Sequence, residues 1–362
     1  MSALKVAIIC GGRSSEHEIS CISAGGVRDA IDRALYDPIL IGITKSGEWV
    51  LIPDGCHLRI IEGILPTVPA DAQRINAEVG GFFLNGKNLG IDIVFPLLHG
   101  PYGEDGTIQG FLEMANAAYV GSGVLASAVA MDKSFAKPIF ESHGMSVAPG
   151  IIITEAQWLE NKVDLTTKVE ALGYPVFVKP ARGGSSRGTT KVNSTSQLAF
   201  ALSEAHSFDP KALIEKAIVG AEIECAVLEI AGTPRASVVG RIIIDERFEF
   251  YDFEAKYLDG TTTIELPAAI DDEISREIQA KAVQAFSALG CSGLARVDFF
   301  LTHNNEVIIN ELNTMPGFTS TSVFPKMWAA SGIDYRTVIS HLLATAQQRS
   351  NGVLSHRNGI GN

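Results

Sequence analysis

Two acids and an amide lie in neighbouring strand-like segments near the C-terminal end of the sequence. Asp298 lies in GLARVDFFL, and Glu311 and Asn313 lie in EVIINELNT. The segments flank THNN, and a two-residue hairpin turn at Asn304 and Asn305 would place Asp298 directly opposite Glu311. Side chains alternate between faces along a strand, so the acids and the amide would project from one side. A turn displaced by one residue would put the two acids on opposite faces.

The same register would bring Arg296 opposite Asn313, on the face that carries the two acids. Two carboxylates that face each other repel unless a cation lies between them. Two acids and an amide, without His or Cys, suit Mg²⁺, which takes its remaining ligands from water and substrate phosphates. The alternative is the solvated face of an antiparallel sheet, but opposed acids beside Arg296 favour a metal site.

A glycine-rich loop in VKPARGGSSRGTTKV is the second candidate site. A strand ends at Lys179, and three glycines with Ser185 and Ser186 precede the next strand. Glycine permits close backbone approach, and successive N–H groups and Ser hydroxyls can hold phosphate. The segment is not a P-loop, because Thr189 stands where a lysine is needed and a strand follows. A flap over a nucleotide is favoured over the alternative of an ordinary flexible hairpin.

Polar residues also follow two of the predicted N-terminal strands. Glu16 comes after KVAIIC and a Gly-Gly turn, and His99 comes after IDIVFPLL in a loop rich in glycine and charge. Ligands of doubly wound sheets bind at the carboxyl edge of the strands. Glu16 could therefore hold a substrate ammonium, although an acid at a helix start is equally favoured by the helix dipole.

The composition limits what such sites can belong to. The chain has 362 residues, 46% hydrophobic and 19% charged, which predicts a soluble globular protein of two or three domains. With 41 acidic against 29 basic residues, the net charge of -12 argues against nucleic acid or an anionic membrane as a partner. Five cysteines contain no CxxC pair, and neither a signal peptide nor an apolar run of ~20 residues is found. A cytoplasmic protein is expected.

The order of predicted elements divides the chain into an α/β and an α+β part. Strands alternating with helices predict a doubly wound parallel sheet over about the first 120 residues, and antiparallel strands predominate after Thr154. One helix is predicted over VLASAVAMDKSFAKPIFESHG, with Lys133 in its interior. The expected domains are 1–122, 123–214 and 215–350, followed by a disordered tail at 351–362.

Eight motifs stand together in one order along nearly the whole chain: GGRSSEHEIS, LLHGPYGEDGTIQG, MDK, VKPARGGSSRG, EKAI, EAKY, ARVDFF and NELNTMPGFTSTS. This set resembles the D-alanine:D-alanine ligases of the ATP-grasp superfamily. The resemblance implies an ATP-grasp fold, in which two α+β domains clasp ATP beside the N-terminal domain. It also implies a two-step reaction, in which ATP phosphorylates one D-alanine and the amine of a second attacks the acyl phosphate.

The resemblance also implies a nucleotide and metal site. Two Mg²⁺ (or Mn²⁺) ions would be held by Asp298, Glu311 and Asn313. The residues that would bind ATP are Lys133, Lys179, Ser186, Glu215, Lys216, Ile218, Glu222 and Lys256. Of these, Lys133, Lys179 and Lys256 would neutralise phosphate charge.

Residues at the other motifs would bind the two amino acids. Glu16 would hold the first ammonium through a hydrogen-bonded chain with Ser185 and Tyr257, near His99. Ser322 would bind the carboxylate of the second D-alanine. Arg296 and the Gly317 N–H would stabilise the oxyanion of the tetrahedral intermediate. D-alanine and ATP are the expected partners, and a homodimer is the expected assembly.

Two positions depart from the family pattern. Arg187 stands where the glycine loop usually has a small apolar residue, and Arg241 stands where an acid is common; neither is expected to contact the substrates. D-alanine:D-serine and D-alanine:D-lactate ligases are alternatives within the class, although the Lys256-Tyr257 pair argues against lactate. A nucleotide-binding regulator that has lost turnover is the alternative from another class.

Overall fold

The computed structural model describes residues 3–244 and 262–349. Its N-terminal part contains a six-stranded sheet in the order β4-β3-β2-β1-β8-β9, a three-stranded sheet of β5, β6 and β7, and two helices. The elements are β1 (Leu4–Gly11), α1 (His17–Ala30), β2 (Tyr36–Ile43), β3 (Trp49–Leu51), β4 (Gln73–Arg74), β5 (Asn76–Glu78), β6 (Gly81–Leu84), β7 (Lys87–Asn88), β8 (Ile93–Pro96), α2 (Thr107–Met114) and β9 (Ala118–Tyr119). Strands β2, β1, β8 and β9 are parallel, as predicted, whereas β3 and β4 extend one edge in antiparallel fashion.

Strand β1 is the buried centre of this sheet, and it positions the first candidate residue. The side chains from Val6 to Cys10 are 0% exposed, as the uninterrupted apolar run predicts for a parallel strand covered on both faces. The strand ends at Gly11, where φ is +89° and an added Cβ would lie 2.3 Å from the Ile43 carbonyl oxygen. Only glycine fits this turn. The chain therefore leaves the sheet sharply and brings Glu16 to the start of α1.

The predicted single helix around Lys133 is two helices. The segment forms α3 (Val124–Met131) and α4 (Lys133–Ser142), followed by the short strand β10 (Ser146–Val147). Asp132 is extended between them, and its carboxylate accepts hydrogen bonds from the N–H and hydroxyl of Ser134. An aspartate cap outweighs the continuous helical pattern because it satisfies an N–H that helix entry leaves unpaired. Lys133 is thus the first residue of α4, and its N–H donates to the Ala181 carbonyl.

The central part is a four-stranded antiparallel sheet in the order β11-β14-β12-β13, covered by helices. Its elements are β11 (Gly150–Thr154), α5 (Glu155–Glu160), α6 (Lys162–Leu172), β12 (Val176–Pro180), β13 (Thr190–Val192), α7 (Thr195–Phe208) and β14 (Lys211–Lys216). Strands β12 and β13 pair antiparallel on either side of the glycine-rich loop, as the sequence predicts. Because β14 lies between β11 and β12 in this sheet, the expected domain limit at residue 214 falls inside one of its strands.

The C-terminal part is a six-stranded sheet in the order β10-β19-β18-β15-β16-β17. Its elements are β15 (Gly220–Ile230), β16 (Thr233–Ile244), β17 (Thr262–Glu265), α8 (Asp272–Ala288), β18 (Leu294–Thr302), β19 (Val307–Asn313), α9 (Val323–Ala330) and α10 (Tyr335–Gln348). One hydrophobic cluster joins this sheet to α8 and to Ala130, Ala136 and Phe140 of α3 and α4. Segment 124–147 therefore packs on the C-terminal sheet. The exact domain limits stay predictions, and the expected tail at 351–362 lies outside the described residues.

The hairpin of β18 and β19 has the predicted register at Asp298 and Arg296, but its turn differs from the predicted one. Thr302 N donates to Glu306 O, and Asn305 has φ +61°, so the loop contains three residues instead of the predicted two. This displaces the pairing by one residue as far as Phe299, which lies opposite Ile309. An irregularity next to Phe299 then adds one residue to β19 and restores the alternation. The predicted turn is wrong, but the predicted facing pairs are confirmed.

None of the helices in the described ranges, 3–244 and 262–349, combines the length and apolar character needed to cross a bilayer.

Candidate active site

Two cavities lie between the sheets and meet at a shared wall. The first has a volume of about 590 Å³ and the second about 430 Å³. The residues that line both are Lys133, Gly183, Ser185 and Glu311. The contact zone thus combines the start of α4, the glycine-rich loop and one of the two opposed acids. Lys133 and Glu311 are thus accessible from both cavities.

The predicted site residues separate between the cavities according to their predicted roles. The first cavity is lined by the described nucleotide candidates, which are Lys133, Lys179, Ser186, Glu215, Lys216, Ile218 and Glu222. The second is lined by the amino-acid candidates, which are Glu16, His99, Ser185, Arg296, Gly317 and Ser322. Of the metal candidates, Asp298 lines the first, Asn313 the second and Glu311 both. Lys256 and Tyr257 lie outside the described residues.

The two opposed acids of the hairpin face each other as predicted. Asp298 pairs with Glu311 across β18 and β19, and Arg296 pairs with Asn313. Arg296 donates two hydrogen bonds of 2.7 Å to the Asp298 carboxylate, and Asn313 Nδ2 donates a third of 3.1 Å. Glu311 Oε2 lies 2.9 Å from Lys133 Nζ. Each carboxylate is therefore balanced by a cation from the protein.

This donor set fits a hard cation. Within residues 3–244 and 262–349, no three His, Cys, Asp or Glu side chains converge as a complete metal site. The protein would instead supply the carboxylates of Asp298 and Glu311 and the amide of Asn313. A partial set of oxygen ligands in the wall of a cavity of about 590 Å³ suits Mg²⁺, which takes its remaining ligands from water and substrate phosphates.

A buried acid that the sequence analysis missed completes the surroundings of Arg296. Glu224 on β15 pairs with Asp298 from the side opposite to Glu311, and it is 3% exposed. Its Oε2 lies 3.2 Å from Arg296 Nε. The guanidinium is therefore held by two acids on neighbouring strands. The alternation of Glu222 and Glu224 along β15 was the signal available in the sequence.

A buried charge cluster forms the floor of the first cavity. Glu215 is 4% exposed, with Lys137 Nζ 2.5 Å from Oε1 and Lys179 Nζ 2.5 Å from Oε2. Burial by itself raises the pKa of Glu215, but the charges and hydrogen bonds of Lys137 and Lys179 outweigh it and lower the pKa to about 2. The Glu215 carboxylate, which was predicted to bind ATP, is thus paired with two lysines. Lys137 was not among the predicted residues.

The glycine-rich loop connects the two halves of the site. Ser185 and Ser186 have φ of +50° and +56°, a conformation that non-glycine residues seldom adopt. The hydroxyl of Ser185 donates to Glu16 Oε1 at 2.7 Å, and the Gly183 carbonyl accepts from Lys133 Nζ at 3.1 Å. Strained serines held in place by contacts from other segments are typical of ligand-binding loops.

Glu16 and His99 lie at the carboxyl edge of the N-terminal sheet, as predicted. Glu16 is the N-cap residue of α1, but its carboxylate makes no capping hydrogen bond and faces Ser185 and the second cavity. This geometry favours ligand binding over a purely helix-stabilising role. His99 is 4% exposed, with Nδ1 3.2 Å from the Met315 carbonyl oxygen and 3.8 Å from Glu104 Oε1. Burial lowers the pKa of His99, but the hydrogen bond and charge of Glu104, together with Glu16 and the Met315 carbonyl, outweigh it, so the pKa is raised.

Glu104→Gln is therefore expected to lower the pKa of His99. The variant removes the nearby charge that favours the imidazolium, whereas burial, which disfavours it, remains. An NMR titration of the His99 ring protons would measure the change. Glu78→Gln, at an exposed position on β5, is the matched control and should leave the His99 titration as in the wild type. An unchanged His99 pKa in Glu104→Gln would contradict this assignment.

The start of α9 forms the far end of the second cavity. Ser322 is the N-cap residue of α9, and its Oγ accepts a hydrogen bond from Thr319 N at 3.1 Å. Gly317 lies beside it, since an added Cβ there would come 3.2 Å from Ser322 Oγ. A helix N-terminus with a hydroxyl is a favourable place for a carboxylate.

The two family departures lie closer to the site than expected. Arg187 and Arg241 both line the first cavity. Arg187 follows the strained serines of the loop, and Arg241 is brought in by β16, where it pairs with Ile223 of β15. The sequence analysis expected neither arginine to contact the substrates, but the pairing of β16 with β15 carries Arg241 to the wall of the first cavity.

Comparison with known proteins gives one result for both halves of the chain. Family models described as the N-terminus and the C-terminus of D-ala D-ala ligase match residues 5–122 and 139–344. The D-alanine–D-alanine ligase of Arthrobacter sp. (strain FB24) is 49% identical over 364 residues, covering 96% of this chain and 95% of that protein.

Solved structures agree in fold. The VanG D-Ala:D-Ser ligase from Enterococcus faecalis superposes with a TM-score of 0.85 at 36% identity, covering 95% of this chain and 100% of that one. The D-alanine-D-alanine ligase from Coxiella burnetii gives a TM-score of 0.81 at 33% identity, covering 96% of this chain and 95% of that one. With both family models, the full-length relative and the two joined cavities in agreement, the chain belongs to the D-alanine–D-alanine ligase family.

Proposed function

We propose that this protein joins two D-alanines to D-alanyl-D-alanine at the expense of ATP, through a D-alanyl phosphate, and so supplies a peptidoglycan precursor. The observation that carries the proposal is the meeting of two cavities at Lys133, Ser185 and Glu311. A nucleotide in the first cavity and an amino acid in the second would bring their reacting groups to this shared wall.

The first cavity is suited to ATP. Lys133 and Lys179 would neutralise phosphate charge, and Lys216, Ile218 and Glu222 would surround the adenosine. We propose that Asp298, Glu311 and Asn313 hold two Mg²⁺ (or Mn²⁺) ions, which offset the charge of the phosphates and activate the γ-phosphoryl group. A phosphate contact from Lys256 remains a prediction from the sequence.

The second cavity is suited to the two amino acids. Glu16, held in place by the Ser185 hydroxyl, would accept hydrogen bonds from the ammonium of the first D-alanine. The carboxylate of this D-alanine would then point toward the shared wall. An oxygen of that carboxylate then bonds to the γ-phosphorus as the bond from this phosphorus to the β,γ-bridging oxygen of ATP breaks. Holding both groups in place makes this step effectively intramolecular.

The peptide bond would form at the same wall. The free amine of the second D-alanine attacks the acyl carbon, and the resulting oxyanion lies near Arg296 and the Gly317 N–H. Phosphate leaves with the bonding electron pair as the carbonyl re-forms, and the attacking nitrogen loses a proton. Ser322 at the N-terminus of α9 would hold the carboxylate of the second substrate.

Phosphate release tests this function directly. Purified protein with ATP and Mg²⁺ should release phosphate only when D-alanine is present, and D-alanyl-D-alanine should accumulate in equal amount. ATP binding without D-alanine-dependent release would favour the alternative of an inactive nucleotide-binding regulator. L-alanine is the matched control, because the same groups in mirror-image order would not be positioned at the shared wall.

Second-substrate choice is the open point within this proposal. The solved structure with a TM-score of 0.85 is that of a D-Ala:D-Ser ligase, so the fold alone does not separate D-alanine from D-serine. Competition among D-alanine, D-serine and D-lactate, read as the identity of the dipeptide or ester product, would decide. The homodimer and the cytoplasmic location stay predictions.

A further inference from the structure

Lys137 is a buried lysine behind the wall of the first cavity. It lies one helical turn after Lys133 on α4 and is 6% exposed. In the described part of the chain it lines neither cavity, and its ammonium forms an ion pair with Glu215 at 2.5 Å. Lys179, on the other side of the same carboxylate, does line the first cavity. Glu215 therefore links Lys137, which does not reach the cavity, to Lys179, which does.

The charges of this cluster do not cancel. Glu215 carries one negative charge, and Lys179 alone would neutralise it. With both lysines protonated, Lys137 adds a second positive charge beside the same carboxylate, and the formal charge of Lys137, Glu215 and Lys179 together is +1. Charges in a buried site are screened much less than charges at the surface. The surplus is therefore felt inside the cavity, which both Lys179 and Glu215 line.

A structural role alone does not explain this second lysine. Replacing buried charges by well-packed apolar residues is often neutral or stabilising, so a buried lysine is not needed for packing. Burial is the largest influence on the pKa of Lys137 and lowers it, against the attraction of Glu215. The fold thus keeps an energetically unfavourable cation where a neutral chain of the same length would fit.

We propose that Lys137 is a positioning residue for ATP: it balances Glu215, so that the charge of Lys179 is available to the polyphosphate. Without Lys137, Glu215 and Lys179 form a closed neutral pair, and the ammonium of Lys179 is drawn away from the phosphates. This inference rests on the proposed binding of ATP in the first cavity, but not on which amino acids are joined.

Lys137→Met tests the inference, because methionine keeps the length of the side chain and removes its charge. We expect the Kd for ATP, measured by calorimetry with Mg²⁺, to rise about tenfold or more, equivalent to ~1.4 kcal/mol or more. The Kd for adenosine, which has no phosphates, should stay within about twofold of the wild type, and so should the KM for D-alanine. Lys168→Met removes an exposed lysine of α6 and should change none of these values.

The double variant Lys137→Met/Glu215→Gln is the second test. It removes one charge of each sign, so the net charge of +1 returns to Lys179. Because Glu215 is itself among the residues predicted to bind ATP, the value to compare is the ratio of the Kd for ATP to the Kd for adenosine, which should recover toward the wild-type ratio. If Lys137→Met alone fails to fold, the double variant can still be measured, because it leaves no unbalanced buried carboxylate. Circular dichroism and the melting temperature would monitor folding.

Three results would overturn the proposal. The first is a Kd for ATP in Lys137→Met within about twofold of the wild type, and the second is a parallel loss of ATP and adenosine affinity. The third is a double variant whose ratio of the Kd for ATP to the Kd for adenosine is no closer to the wild-type ratio than that of the single variant. If neither variant folds, Lys137 is structural and the proposal is wrong. In each case, wild-type phosphate release with D-alanine still decides the proposed function separately.

Discussion

Glu311→Gln is expected to lower turnover by about 10²- to 10⁴-fold while the protein stays folded. The substitution keeps the size of the side chain and removes the carboxylate charge that faces Asp298 across the hairpin. That charge is also the partner of Lys133, at 2.9 Å, in the wall that both cavities share. Steady-state phosphate release over a range of Mg²⁺ concentrations would show a lower maximum and a weaker response to the ion.

Glu306→Gln is the matched control for this prediction. Glu306 lies at the exposed loop of the same hairpin, so its change alters the net charge equally without touching the cavities. Its turnover and Mg²⁺ dependence should equal those of the wild type. Near-normal turnover in Glu311→Gln, with an unchanged Mg²⁺ dependence, would rule out the proposed metal site.

Arg296→Lys is expected to lower kcat by about 10²- to 10³-fold, with the KM for ATP little changed. The guanidinium donates two 2.7 Å hydrogen bonds to Asp298 and lies 3.2 Å from Glu224, so two acids hold its plane in one orientation. Lysine keeps the charge but has a single ammonium, and it cannot reproduce this planar array of donors. The loss should therefore fall on the step that develops the oxyanion. Steady-state kinetics with ATP and D-alanine varied in turn would separate the two constants.

Arg235→Lys provides the comparison on an exposed part of β16, and its kinetic constants should match the wild type. The melting temperature of both variants should be recorded, because Glu224 is buried and depends on a cation nearby. If Arg296→Lys turned over at the wild-type rate, Arg296 would not be the oxyanion ligand. A rise in the KM for ATP with unchanged kcat would indicate that Arg296 binds the nucleotide instead.

The hairpin shows how far local rules reach. Alternation along a strand predicted that Asp298 and Glu311 share a face, and the pairing is as predicted. The turn that this prediction assumed is wrong, because Asn305 takes a left-handed conformation in a three-residue loop. A bulge in β19 compensates for the extra loop residue. Neither deviation has a strong sequence signal, since Asn tolerates several turn types and bulges depend on the neighbouring strands.

The site residues that the sequence analysis did not predict were missed for one physical reason. Lys137 and Glu224 are charged residues whose partners come from other segments of the chain. By sequence alone each is more often a solvated surface charge, and only the packing of the sheets and helices buries it beside its partner. A pattern with period two or 3.6 gives the face of an element, but not what lies against that face.

The sequence by itself determined the buried parallel strands of the N-terminal sheet, the glycine loop between antiparallel strands, and the residue types that line each cavity. These follow from apolar runs, turn residues and motifs, which act over a few neighbouring residues. Only the tertiary structure decided that the cavities meet at Lys133 and Glu311, and that Glu215 is shared by two lysines. Such contacts depend on the relative positions of whole sheets. Close packing of the core determines these positions, and no local sequence pattern encodes them.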